Sequence, residues 1–80
     1  MDERLARGVA LFNEERFFDA HDAWEDLWNE TSGPDRVFVQ GLIQAAVGLY
    51  HRGNGNCRGA RSQLSRSLEK LAGFTPGRHG

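Results

Sequence analysis

The sequence predicts an all-α fold, a single small bundle of four short-looped helices around a central apolar helix. Three observations carry that expectation. Apolar residues recur at intervals of three and four, with no alternating strand pattern of useful length and no internal repeat. Gly, Asn and Pro punctuate the chain where helices of ordinary length would end. The chain has 80 residues, 39% of them hydrophobic, which is enough for one core and no more.

The first helix is expected at about 2–14, with Leu5, Val9 and Phe12 on one stripe at i, i+4 and i+7. A tight connection at Glu15 and Arg16 leads to the second, at about 17–30, whose stripe is Phe17, Ala20, Trp24 and Leu27 or Trp28. Thr31, Ser32 and Gly33 end it. Ser32-Gly33-Pro34-Asp35 then reads as a helix start. Ser32 offers an acceptor to the Asp35 N–H, Pro34 lacks a donor that would go unpaired there, and Asp35 suits the positive end of the helix dipole. The third helix is apolar on nearly every side from Val37 to Tyr50, so it is expected to be surrounded by the others. Gly41 and Gly48 weaken it by about 1 kcal/mol each relative to Ala, which makes sense where neighbouring helices approach closely. Gly53-Asn54-Gly55-Asn56 is a loop signal, and Asn56 is placed to cap a fourth helix at about 57–72 with Ala60, Leu64, Leu68 and Leu71 as its buried stripe. Gly73 is its C-cap, and Thr75-Pro76-Gly77 forbids continuation. The chain therefore reads as one helical domain over 1–80, with an ordered core at about 3–73 and a flexible tail at 74–80.

Size and charge narrow the function classes. A chain this short buries only about 60 to 65% of its unfolded surface, so its stability is marginal and a homo-oligomer is expected. Two-domain enzymes are excluded. The formal net charge of −1 argues against a general nucleic-acid binder, which needs a basic excess to displace counterions. That near-neutrality hides an asymmetry: residues 1–35 hold three arginines against ten acids, −7, and residues 36–80 hold seven basic residues against Glu69 alone, +6. The halves attract, within one chain or between chains. Cys57 is the only cysteine, which excludes an intrachain disulfide and a two-thiolate zinc site; it is expected half-buried against the bundle. The opening MDERLARG is too charged for a signal peptide, and the Val37 to Tyr50 run falls short of the about 20 residues needed to cross a bilayer. No membrane span and a cytoplasmic location are expected.

One constellation could carry chemistry. His21, Glu25 and Trp28 are spaced i, i+4, i+7 on one face of the second helix, with Phe17 and Trp24 nearby. Gln40, Gln44, Val47 and His51 share a stripe on the third. If the stripes face one another, two His, one Glu and two Gln converge in an aromatic-walled pocket lined by Trp24 and Trp28, with Asn56 close by. Such groups are expensive to bury, so a marginally stable chain should keep them only paired or used. One reading is a closed network in which Glu25 orients a histidine and the glutamines complete the pairing. Another is a two-histidine, one-carboxylate set of His21, Glu25 and His51, binding a divalent metal such as Zn or Fe, although HxxxE supplies only two ligands from one helix. A third uses His21 or His51 as a general base, and a fourth binds a small ligand without reaction. Phe18 lies beside the main stripe and marks an exposed patch for a second subunit.

Several blocks in order carry a resemblance: Phe12-Asn13, then Phe17-Phe18-x-Ala20-His21-x-x-Trp24-Glu25-x-x-Trp28, then Gln40-Gly41-Leu42-Ile43-Gln44-x-Ala46, His51, and Asn56-x-x-Gly59-Ala60. From about 8 to 71 the chain resembles the bacterial and archaeal domain-of-unknown-function family 309, whose hallmark is HxxxExxW, here His21, Glu25 and Trp28. The resemblance implies a small all-helical fold and a site around those residues, with no assigned reaction. Asp22, where the family more often has Glu, keeps the charge. Taken together, the sequence reads as a binding or assembly module with a polar His/Glu/Gln pocket. The alternative is a metal-assisted hydrolase using His21, Glu25 and His51.

Overall fold

The computed structural model describes residues 2–73, which form four α-helices: α1 (Glu3–Asn13), α2 (Phe17–Asn29), α3 (Pro34–Gly53) and α4 (Cys57–Ala72). The tail expected at 74–80 lies outside the described residues. Each helix starts and stops for a local reason. Asp2 caps α1, its Oδ1 accepting from the Arg4 N–H at 2.8 Å. At the other end the Arg16 N–H reaches back to the Leu11 carbonyl at 2.9 Å, with Glu15 in the left-handed region at φ 62°. The same closure ends α3, where the Asn56 N–H donates to the His51 carbonyl at 2.8 Å around Gly55 at φ 80°. Asn56 then caps α4, accepting from the Gly59 N–H at 3.0 Å.

Helix α3 begins differently from the expectation for Ser32. Gly33, left-handed at φ 67°, stands at the cap position with no side-chain cap, and Pro34 opens the helix. Only a residue tolerant of that conformation fits there, so the cap passes from a serine oxygen to a glycine backbone.

Packing follows chain order: α1 lies on α2, α2 on α3 and α3 on α4. The core between α1, α2 and α3 is built on Trp24, which is 2% exposed, with Ala20, Leu27, Val39 and Ala46 buried around it. Its indole Nε1 donates to the Leu5 carbonyl at 3.2 Å. Phe12 stacks at its edge, 5.8 Å between ring centroids, and meets Phe17 edge-on at 5.2 Å. Gly8 is buried beneath the indole: a Cβ there would lie 2.0 Å from Trp24 Nε1. The α3–α4 contact is notched in the way the third-helix glycines imply. Leu71 fills the space over Gly41 and Leu64 that over Gly48, at 2.9 and 2.7 Å from where a Cβ would stand. Buried Ser67 donates to the Gly41 carbonyl at 2.7 Å.

Four expectations are corrected. Val9 is exposed, because close approach of α1 to the Trp24 ring puts Gly8 on the buried side instead. Leu68 is 69% exposed while Ser67, one step round the helix, is buried against Gly41. Val37 and Tyr50 are also exposed, since α3 is covered by α2 and α4 and α1 lies beyond α2. Cys57 is exposed at the first turn of α4 rather than half-buried. Among the described residues no helix is long and apolar enough to cross a membrane.

Candidate functional site

The HxxxExxW stripe of α2 and the outer stripe of α3 meet along a solvent-facing seam. Because the two helices run antiparallel, Phe17, Phe18 and His21 stand beside Val47 and Tyr50, while Glu25 and Trp28 stand beside Gln40 and Ile43. The first group lines a cleft of about 200 Å³ and the second a recess of about 280 Å³. Phe18 and Tyr50 form the outer wall, 52% and 41% exposed, with ring centroids 5.4 Å apart. Phe18 is also 5.7 Å from the His21 ring.

His21 joins the two parts of the seam. Its Nε2 lies 2.9 Å from Glu25 Oε2, one helical turn on. Nδ1 is shut off from solvent and has no hydrogen-bond partner, although Asp22 Oδ1 is 3.3 Å away. Neighbouring side chains on a helix diverge too far in angle for that contact to align. Nε2 therefore stands against the Glu25 carboxylate, and Nδ1 is covered. At the opposite end, the Arg36 guanidinium lies over Trp28, 3.8 Å from the ring centroid. Trp28 Nε1 is buried without a hydrogen-bond partner.

The remaining residues of the expected pocket are dispersed. Trp24 belongs to the core under α1. Gln40 lines the recess, but Gln44 turns to α4, where Lys70 Nζ donates to its Oε1 at 2.9 Å. Asn56 spends its side chain on the α4 cap. His51 sits half-buried in the last turn of α3, its ring 6.2 Å from that of Tyr50, and makes no hydrogen bond to His21 or Glu25. Among the described residues no group of three or more His, Cys, Asp or Glu is placed to hold a metal ion. His21 and Glu25 come together; His51 does not complete a ligand set with them.

The sequence profile described as "Domain of unknown function (DUF309)" matches residues 5–63. The chain belongs to the DUF309 family. The matched stretch takes in the whole α2–α3 seam of this DUF309 domain and stops within α4, before Ser67, Lys70 and Leu71. No curated protein and no solved structure matches the chain.

Sequence reasoning missed Tyr50, Ile43 and the Arg36–Trp28 contact in this DUF309 seam. A signal was there. Gln40, Ile43, Val47 and Tyr50 repeat at i, i+3, i+7, i+10, an α3 stripe one residue out of phase with the one through Gln44 and His51.

Proposed function

We propose that this DUF309 domain is a binding and assembly module, that its working surface is the α2–α3 seam, and that it pairs there with a second copy of itself. The observation that carries this reading is the Phe18–Tyr50 wall, two large rings left open to solvent in a chain with little apolar volume inside. Three of the six buried hydrophobic residues among those described are alanines. A small domain that leaves two large rings outside gains by covering them.

Charge supports the same partner. The ion pairs of Arg4 with Asp2 and Glu30, and of Arg16 with Asp19, all stay within the acidic half. Among the described residues none links the acidic half to the basic one, which leaves both free to meet their opposites on another copy. A cytoplasmic setting belongs to this proposal, since an exposed lone Cys57 suits a reducing compartment. A metal-assisted hydrolase finds less support, with His51 apart from the His21–Glu25 pair.

Sedimentation velocity tests the reading. The wild-type chain is expected to self-associate, and the Phe18→Ser, Tyr50→Ser double variant to run as a monomer with its helicity intact, because both rings are half outside already. A wild-type chain that stays monomeric at every concentration would remove the proposal.

A further inference from the structure

The α2–α3 seam has two aromatic stations, and one of them holds a cation. Arg36 covers Trp28 at 3.8 Å. At the other station Phe17, Phe18 and Tyr50 surround the cleft, and no cationic side chain lies over those rings among the described residues. The face of an aromatic ring is the negative pole of its quadrupole, so a cleft walled by three of them attracts positive charge. Carboxylates nearby strengthen that field: Glu25 is 2.9 Å and Asp22 3.3 Å from the imidazole nitrogens of His21, which closes the cleft. A neutral apolar group would gain from the rings alone, whereas a cation gains from rings and acids together. Between the biological cations, a guanidinium suits this cleft better than an ammonium, being planar, weakly hydrated and able to stack.

The chain also displays what would fill it. Arg58, Arg61 and Arg66 are exposed on α4, have no acidic partner among the described residues, and do not line the cleft of their own copy. We infer that the aromatic cleft of the α2–α3 seam receives a guanidinium group from α4 of a second copy of this chain. The inference rests on the assembly reading above and adds to it what the seam selects. In a two-fold pair each copy gives one arginine face and receives another, so the assembly closes at two.

Two variants and their mixture test it by sedimentation, with circular dichroism as the control for folding. One carries Arg58→Gln, Arg61→Gln and Arg66→Gln; the other carries Phe18→Ala. Each alone is expected to self-associate about ten-fold or more weakly than wild type, the scale of losing stacked, partly desolvated cations. Mixed in equal amounts, they should associate more tightly than either alone and less tightly than wild type, because the mixed pair restores one of the two cleft–arginine contacts. If the triple arginine variant associates like wild type while Phe18→Ala does not, the assembly face stands and the guanidinium inference falls. If wild type does not associate at all, both fall.

Discussion

Gly8 shows how much one missing methyl group decides. Alanine is the better helix former by about 1 kcal/mol, so by propensity alone Gly8→Ala should stabilise α1. A Cβ at that position would sit 2.0 Å from Trp24 Nε1, and the indole cannot retreat, being buried and bonded to the Leu5 carbonyl. Overpacking of this kind outweighs the propensity gain. Gly8→Ala is expected to cost about 2 kcal/mol net and to lower the thermal midpoint by about 10 °C; a higher midpoint would show that α1 can lift off Trp24 freely. Asp2 supports the same helix electrostatically. Its carboxyl is held below the ordinary 3.8, first by the hydrogen bond from the Arg4 side chain and then by that from the Arg4 N–H. A lowered carboxylate stabilises the folded state above its unfolded value, and the contribution disappears as pH falls through the lower, folded one. The Arg4 amide resonance should therefore titrate with a midpoint below 3.8, and a midpoint at or above that value would contradict the cap.

At the scale of elements, the two chain reversals around α1–α2 and α3–α4 use one geometry with unequal residues. Gly55 takes the left-handed position without strain, while Glu15 takes it at φ 62° against its own Cβ. Relief of that strain exceeds the entropy lost by adding a glycine, so Glu15→Gly is expected to stabilise the domain by about 0.5 to 1 kcal/mol in urea unfolding. An unchanged or lower midpoint would mean that Glu15 gains something else in the turn. The helices themselves were largely legible. The bounds of α4 follow from Asn56 and Gly73, and the glycine notches of α3 from two glycines placed where a long apolar helix can least spare them. What was not legible is which small residue lies inward. Gly8 and Ser67 carry little hydropathy, so a reading by hydropathy assigns the buried place to Val9 and Leu68 next to them. The site divides similarly. The His21–Glu25 contact is local, one turn of one helix, and can be read from spacing. The departure of Gln44 toward Lys70 depends on where α4 lies, which no pattern within α3 encodes.

Taken whole, the molecule keeps two large rings, Phe18 and Tyr50, at its edge, and alanines fill much of the space around Trp24 at its centre. If a second copy covers that edge only in the folded state, folding and pairing share one equilibrium. The thermal midpoint should then rise with protein concentration in wild type and stay constant in the Phe18→Ser, Tyr50→Ser variant, by calorimetry or far-ultraviolet dichroism. A wild-type midpoint independent of concentration would separate stability from assembly. Packing in chain order also bears on how fast the native state is reached. With α1 on α2, α2 on α3 and α3 on α4, each closure joins segments only a turn apart along the chain. Little loop entropy is lost before contacts form, and helical domains of such low contact order fold in microseconds to milliseconds. The α3–α4 hairpin, with Leu64 and Leu71 seated over glycines and a three-residue link, is the natural nucleus. If copies pair as proposed, a chain that folds this quickly presents its aromatic wall already formed, and encounter between copies is the slow step in building the assembly.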